Sequence, residues 1–262
     1  MSLKIYCLHY AASDRVVWLC EELSELVPSF KYELFVYERG MEASEGKKML
    51  VSLHAAGTAP TMVDSTVSPT ITLAESGAII EYLIHVHGQG HFSVSLSAGP
   101  HAYAEYSHWY NWAGASFQAF LDANLLGQAL TALKGAPIPE DGMAYLVHQA
   151  FKNRTLNHLK QLDDRLARSK YLAGNEITAV EFYMIFSLTT FRVFLPVDLA
   201  GHANVLRYLA DITARPAYRR TMEKAEKGLQ PLIQPLVPLF PFDVLLGAAS
   251  WDTVPGLVKD GQ

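Results

Sequence analysis

The chain has 262 residues, of which 50% are hydrophobic and 18% charged, and its formal net charge is -5. This length suggests one large domain or two modest ones, and the apolar fraction is enough to build a buried core, which excludes wholesale disorder. The mildly acidic balance also argues against a nucleic-acid partner, because neutralising phosphates requires a surplus of Lys and Arg on one face.

Cysteine usage and hydropathy indicate the compartment. The two cysteines, Cys7 and Cys20, suit neither a disulfide framework nor a Cys-x-x-Cys redox pair, so we expect a reducing environment. The N-terminal residues lack the long apolar stretch of a secretion signal. The most apolar later stretch, residues 179–196, carries Glu181 and Arg192, which is typical of a buried helix rather than a membrane span. We therefore expect a cytoplasmic protein with no membrane partner.

The first 88 residues alternate between strand-like and helix-like hydrophobic periods, which predicts strands interleaved with helices. In chain order we predict a strand at 3–10, a helix from Asp14, a strand at 30–37, a helix at 41–53, strands at 60–63 and 70–73, and a helix at 75–86. After a Gly/Ser-rich linker at 89–99, the periodicity is helical over 100–133, 140–166, 178–194, 203–214 and 216–227. The sequence thus predicts an α/β domain at residues 1–88 and an all-α domain at 100–228.

The last segment, residues 229–262, combines five prolines with Leu, Val, Phe and Trp251. Prolines at this density break long helices, yet so much apolar surface is costly to leave in water. We expect this tail to pack on the body of the protein.

Two segments of the first domain carry candidate ligand contacts. Pro60 begins a strand, where it has no N–H to donate to a neighbouring strand. Whether the Ala59–Pro60 bond is cis or trans, the backbone of Ala59 is then left exposed at the start of the strand. Glu75 and Ser76 begin a helix, where free N–H groups and the helix dipole favour a carboxylate ligand. A lone Glu-Ser pair is typical of a helix cap, but both segments together offer a backbone edge, an anion site and an acid for an amine. They predict a site for a zwitterionic peptide.

These motifs resemble the cytosolic glutathione transferases over residues 3–228. The family's thioredoxin-like N-terminal domain carries a cis-proline and a helix-opening Glu/Gln-Ser, which Pro60 and the segment Glu75-Ser-Gly-Ala-Ile-Ile-Glu-Tyr-Leu83 match. Its all-α C-terminal domain carries Tyr-Leu-Ala-Gly, a Thr/Ser-x-x-Asp capping box and Arg-Pro-Ala-Tyr. The corresponding segments are 171–174, Thr178-Ala-Val-Glu181 with Glu in place of Asp, and 215–218. His9, Arg15, Trp18 and residues 21–23 look most like the fungal and bacterial branch that includes the prion-type nitrogen regulators.

The resemblance implies how glutathione would bind. Ala59, followed by Pro60, should hydrogen-bond the cysteinyl backbone, and Glu75 and Ser76 should hold the γ-glutamyl ammonium and carboxylate. The glycine carboxylate needs a cation, for which Arg39, Lys47, Lys48 and His54 are candidates, and we include Lys47 and His54 in the predicted site. Thr58 stands where many relatives have Lys.

The residue that activates the sulfur is where the sequence departs from the family. A donor near the sulfur lowers the thiol pKa, and the family usually places a Ser, Tyr or Cys between the first strand and first helix. The serine-type position falls on Ala11. We predict Ser13 and Tyr10 as the catalytic residues, although Ser13 also suits a helix cap and Tyr10 a half-buried aromatic. Both cysteines are expected to be buried thiols, not nucleophiles.

A hydrophobic substrate site is expected on the aromatic segment 105–120, which the family's fold places over the sulfur. We predict that His108, Asn111, Trp112 and Phe117 line it, although rings at helical spacing also suit a core or a dimer interface.

Together these features predict a homodimeric transferase that binds glutathione, needs no metal, and adds the thiolate to a hydrophobic electrophile, with a role in secondary-metabolite biosynthesis. Two alternatives stay open. One is a glutathione-dependent cis-trans isomerase that adds the thiolate reversibly to a conjugated alkene, and the other is a non-catalytic binding or regulatory module.

Overall fold

The computed structural model describes residues 2–39, 44–134, 140 and 142–237, with the backbone alone for 129–134. Its N-terminal part holds a mixed sheet in the order β2-β1-β3-β4. The strands are β1 (Leu3–Leu8), β2 (Glu33–Tyr37), β3 (Thr61–Asp64) and β4 (Ile71–Leu73). β1 runs parallel to β2 and antiparallel to β3, and β3 runs antiparallel to β4. The helices of this part are α1 (Ser13–Leu26), α2 (Glu45–Leu53) and α3 (Ser76–Tyr82).

The C-terminal part is helical, as the periodicity predicts. It consists of α4 (Pro100–Asn111), α5 (Ala119–Lys134), α6 (Met143–Leu166), α7 (Ala179–Leu188), α8 (Ala203–Thr213) and α9 (Pro216–Ala225). A stretch of wide π-helical turns, Trp112–Gln118, joins α4 to α5. The Tyr183 hydroxyl lies 2.1 Å from where a Cβ on Gly114 would be, so only glycine fits at this point. This small α/β part followed by an all-α part is the predicted fold class.

Several element ends differ from the sequence prediction, and three of them have a visible local cause. β1 ends at Leu8 rather than residue 10, because Tyr10 has φ 53 and turns the chain. α2 begins at Glu45, where the Ser44 hydroxyl accepts a hydrogen bond from the Lys47 amide at 3.2 Å; residues 41–43 of the predicted helix lie outside the described residues. α7 ends at Leu188 and is followed by a short 3-10 turn.

The predicted capping box at the start of α7 is confirmed. The Thr178 amide donates to Glu181 Oε2 at 2.8 Å, and the Leu172 amide donates to Glu181 Oε1 at 2.9 Å. The Glu181 carboxyl therefore joins the capping box to the preceding Tyr-Leu-Ala-Gly turn, and burial raises its pKa to about 7. The longer reach of Glu relative to Asp allows both contacts.

α1 joins the two parts of the molecule. Its Trp18 ring packs on Phe182 of α7 and Tyr218 of α9, with ring centroids 4.4 and 5.5 Å apart. Beside this contact, the Arg215 guanidinium holds the buried Glu22 carboxylate through two hydrogen bonds. The sheet, α1 and the C-terminal helices thus share one apolar core.

The first residues of the tail, 229–237, lie against the helical part. The buried Arg192 donates to the carbonyl oxygens of Leu232 and Pro235, and the Leu199 amide donates to Pro235 O at 2.9 Å. The rest of the tail, including Trp251, lies outside the described residues. Within the parts of the chain that are described, none of the helices combines the length and hydropathy needed to cross a membrane.

Candidate functional site

The loop before β3 presents a backbone edge with a cation beside it. The Ala59–Pro60 peptide is cis, and Ala59 is partly exposed while Pro60 is buried. The Lys47 ammonium, from α2, donates to the carbonyl of Gly57 at 3.1 Å. Lys47, one of the cations considered from the sequence, therefore lies at this loop, whereas the His54 ring accepts a hydrogen bond from the nearby Ala56 amide.

The start of α3 carries the second half of the predicted site. Glu75 is exposed and has φ 70, so the chain turns sharply before the helix. Ser76 is the first helical residue and is buried, and its hydroxyl oxygen accepts a hydrogen bond from Arg15 Nη1 at 3.2 Å. Among the described residues no acceptor is found for the Ser76 hydroxyl proton. That proton is therefore available to a ligand oxygen.

Arg15 brings a buried positive charge behind Ser76. Its side chain reaches Gln118 Oε1 at 3.0 Å and Ser187 Oγ at 3.1 Å, and only 4% of the residue is exposed. The guanidinium also lies over the rings of Tyr183 and Phe186, 4.8 and 5.2 Å from their centroids.

No carboxylate contacts this guanidinium within the described part of the chain. Burial lowers the Arg15 pKa, while Asp14 and Asp122 act on it only at longer range. A buried charge that no opposite charge contacts is costly for folding and attracts an anion. Sequence reasoning used Arg15 only as a marker of the resemblance, and missed its contact with Ser76 because the two residues are far apart along the chain.

The loop between β1 and α1 is almost closed. Tyr10, Ala11 and Ser13 are 2%, 7% and 0% exposed, and Ala12 is the partly exposed residue of the turn. The Ser13 hydroxyl accepts a weak hydrogen bond from the Leu8 amide at 3.4 Å and also contacts the Cys7 thiol. This enclosed geometry favours a structural role for the Ser13 hydroxyl over the contact with sulfur expected from the sequence.

Tyr10 is fixed through its backbone. Its amide donates to Glu226 Oε2 at 2.6 Å and its carbonyl accepts from Arg39 Nη1 at 2.9 Å. Arg39, a candidate cation for the glycine carboxylate, is thus engaged at this loop. A swing of the Tyr10 hydroxyl toward a bound sulfur would require this buried, doubly held residue to move.

Both cysteines are buried thiols. Burial raises the pKa of Cys7 to about 12 and that of Cys20 well above its usual range. Because the thiolate is the nucleophile, neither cysteine is suited to nucleophilic chemistry at neutral pH.

The structure does not bring the four predicted hydrophobic-site residues together on one surface. His108, Asn111 and Trp112 line an open cavity of about 620 Å³ on α4. Phe117 is instead enclosed in the core, where it stacks on Trp112 with a centroid distance of 5.3 Å.

The face of α4 that meets α3 carries other residues. The Tyr106 and Tyr110 hydroxyls donate to Glu81 Oε1 and Gly77 O, and a displacement of two residues along a helix is a rotation of about 200°. His108 therefore lies on a different face from Tyr106 and Tyr110. That His108 and Asn111 face the sulfur stays a prediction, while Gln118, further along the same helical stretch, reaches Arg15.

A row of phenylalanine rings connects the two arginines. Phe186, Phe191 and Phe194 follow one another with centroid distances of 5.5 and 5.9 Å. Arg15 lies over the first ring and Arg39 over the last, 5.1 Å from its centroid. Sequence reasoning interpreted this apolar stretch as a buried helix and missed the row, because it depends on the 3-10 turn after α7.

Comparisons with known proteins agree with this geometry. The family model described as glutathione S-transferase, C-terminal domain, matches residues 145–216. Glutathione S-transferase 3 of Schizosaccharomyces pombe is 28% identical over 229 residues, covering 85% of this chain and 87% of that protein.

Two solved structures show the same fold. A glutathione S-transferase from Actinobacillus pleuropneumoniae superimposes with a TM-score of 0.67 at 24% identity, over 85% of this chain and 92% of that one. A glutathione transferase from Streptococcus pneumoniae, complexed with glutathione, gives a TM-score of 0.65 at 21% identity, over 86% and 84%. These matches agree with the features already described, which are the cis-Pro60 loop, the Glu75-Ser76 helix start and the capping box. The chain is thus similar to glutathione S-transferases over 85% of its length, and residues 145–216 match the C-terminal domain of that family.

Proposed function

We propose that this protein is a glutathione-dependent transferase that adds the glutathione thiolate to a hydrophobic electrophile. The observation that carries the proposal is the Arg15–Ser76 pair. A hydroxyl that accepts a hydrogen bond from a buried guanidinium donates its own proton to a carboxylate, and the charge behind it strengthens that contact. The exposed Glu75 carboxylate, one residue away, suits the ammonium group of the same γ-glutamyl unit.

The rest of the peptide follows the loop before β3. The backbone of Ala59 would pair with the cysteinyl unit, and the Lys47 ammonium beside Gly57 would meet the glycine carboxylate. The ligand would thus be held at both charged ends, and its sulfur would lie near the turn that precedes α1. Holding the nucleophile in this way lowers the entropic part of the barrier.

The turn at Ala11 and Ala12 offers peptide groups rather than a side-chain donor to the sulfur. α1 begins directly after it, and no side chain caps that helix start. The partial positive charge at the beginning of α1 would favour the thiolate over the thiol. In the reaction the thiol loses its proton to solvent. The thiolate then forms a carbon–sulfur bond with the electrophile, and a leaving group departs with the bonding pair.

The electrophile would bind near the phenylalanine row formed by Phe186, Phe191 and Phe194. This row joins Arg15, which contacts Ser76, to Arg39, which holds Tyr10. An apolar wall beside the sulfur fits a hydrophobic substrate. Because the three rings are themselves buried, the open surface that His108, Asn111 and Trp112 line remains a second proposed position of that substrate.

Isothermal titration with glutathione and with cysteinylglycine tests the proposal. Cysteinylglycine keeps the thiol and the glycine carboxylate but lacks the γ-glutamyl unit that Ser76 would hold. We expect glutathione to bind and cysteinylglycine to bind at least about tenfold more weakly. Equal affinities, or no binding of glutathione at millimolar concentration, would contradict the proposed site.

The enclosed Ser13 hydroxyl favours one alternative, a non-catalytic binding module. A module of this kind would bind glutathione in the titration but leave chloronitrobenzene and enone substrates unconjugated.

The homodimer suggested by the family resemblance is a separate proposal. Size-exclusion chromatography with light scattering tests it, and we expect a mass near twice 29.0 kDa.

A further inference from the structure

The turn proposed to face the sulfur is held by the opposite end of the chain. Glu226, directly after α9, accepts the Tyr10 amide proton through Oε2 at 2.6 Å. Arg39, after β2, donates to the Tyr10 carbonyl at 2.9 Å. A carboxyl group and a guanidinium, from two distant segments, thus hold the amide and the carbonyl of one residue. We refer to Glu226 and Arg39 as the Tyr10 clamp.

Neighbouring contacts hold the end of α9 against the same loop. The His9 ring contacts the Ala225 carbonyl through Nδ1 at 2.6 Å, and the Lys227 ammonium lies 2.9 Å from the Glu38 carboxylate. Three consecutive residues at the end of α9 therefore meet the end of β1 and the segment after β2. Because Tyr10 has φ 53, a conformation that non-glycine residues seldom adopt, it needs such support.

If Glu226 served folding alone, burying its carboxyl group would cost free energy without a clear return. Its carboxyl is fully buried, and Oε1 has no hydrogen-bond partner among the described residues. Burial and the nearby Asp14 raise its pKa well above the usual range, while the Tyr10 amide and Arg39 act in the opposite direction. An apolar side chain would avoid the cost of burying a carboxyl group with one hydrogen bond. The contact with Tyr10 is what the carboxyl adds.

We propose that Glu226 is a positioning residue for the transferase reaction. By accepting the Tyr10 amide, it fixes the chain direction into Ala11 and Ala12, so that the peptide groups of that turn and the start of α1 keep one orientation toward the sulfur. This inference rests on the proposed function. Since Arg15, Ser76 and Ala59 belong to other elements, loss of the clamp lowers the rate of the chemical step and leaves the binding of glutathione nearly unchanged.

Two substitutions at one position test this role. Glu226→Gln keeps an acceptor for the Tyr10 amide, and Glu226→Ala removes it. With glutathione and a chloronitrobenzene as substrates, we expect Glu226→Ala to lower kcat at least about tenfold, with KM for glutathione within about twofold. We expect Glu226→Gln to retain kcat within about threefold.

Arg215→Ala is the matched control. It breaks the ion pair with Glu22, which also joins α9 to the N-terminal part, but it leaves Tyr10 untouched. It should lower the melting temperature without lowering kcat. Arg39→Met removes the other half of the Tyr10 clamp and, should Glu226→Ala fold poorly, carries the same expected loss of kcat. Unchanged kcat in the clamp variants, or an equal loss in Arg215→Ala, overturns the proposal.

If the proposed function is wrong, the wild-type protein turns over no electrophile. Amide hydrogen exchange at Tyr10 then decides whether the clamp exists. Faster exchange in Glu226→Ala than in both Glu226→Gln and Arg215→Ala supports the clamp, and equal exchange in the three variants overturns it.

Discussion

Replacing Arg15 by Met tests whether the buried guanidinium serves ligand binding rather than folding. Met retains much of the apolar contact with the rings of Tyr183 and Phe186 but removes the donor to Ser76. A hydrogen bond strengthened by a charge contributes about 1.5–3 kcal/mol. Its loss from the γ-glutamyl carboxylate site should therefore raise the Kd for glutathione roughly 10- to 150-fold.

The same substitution should change stability little. Ser187 Oγ donates to Gln118 Oε1 at 2.6 Å, so these two groups keep a partner when the guanidinium is removed. Removing a buried charge that no carboxylate contacts also relieves its desolvation cost. We expect the free energy of unfolding to change by no more than about 1 kcal/mol.

Titration with glutathione and urea unfolding of the same preparation measure both quantities. Arg165→Met is a suitable control, because that arginine pairs with Glu105 and the Leu172 carbonyl away from Ser76. The reasoning is refuted if Arg15→Met binds glutathione as tightly as the wild type. It is also refuted if stability falls by more than about 3 kcal/mol, the loss typical of a broken buried ion pair.

Three further substitutions probe the site and the fold. Lys47→Ala should raise KM for glutathione about two- to fivefold, as expected for a partly exposed ion pair. The control substitution Lys48→Ala, at an exposed position, should leave KM unchanged. Equal KM values for the two variants in steady-state kinetics would show that Lys47 does not belong to the site. Ser13→Ala should keep kcat within about twofold and lower the free energy of unfolding by about 0.5–1.5 kcal/mol; a large loss of kcat would restore the hydroxyl as the sulfur contact. Burial opposes ionisation of Asp64, but hydrogen bonds from Thr66, His87 and Tyr82 outweigh it and lower its pKa to about 2. The stabilisation from ionised Asp64 is thus full above its usual pKa of 3.8 and is lost as pH falls toward 2. Asp64→Asn should cost about 2 kcal/mol at pH 7 in urea unfolding and remove this dependence, and unchanged stability would contradict it.

Local patterns in the sequence were sufficient to predict most of the fold. The alternating run at β1, the helical periods after residue 100 and the capping box at Thr178 each depend on neighbours within a few residues. Such patterns predict the folded structure well because the same residues that form the element also bury its apolar face. The family motifs then provided the order of the elements and the expected positions of Ala59 and Ser76.

The surroundings of the loop between β1 and α1 and of the aromatic segment could not be predicted in the same way. Ser13 looks like a donor in sequence, yet the end of β1 encloses its hydroxyl. His108 belongs to an aromatic segment, but the rotation of α4 separates it from the face that meets α3. Arg15 and Glu226 matter through contacts with residues 61 and 216 positions away. Only tertiary packing brings these groups together.

A crystal structure of the complex with glutathione tests the central claim most directly. We predict the γ-glutamyl carboxylate at about 3 Å from the Ser76 hydroxyl, the cysteinyl backbone paired with Ala59, and the sulfur against the peptide groups of Ala11 and Ala12. A sulfur that instead accepts a hydrogen bond from the hydroxyl of Ser13 or Tyr10, or a ligand bound away from Ser76, would contradict the proposed site.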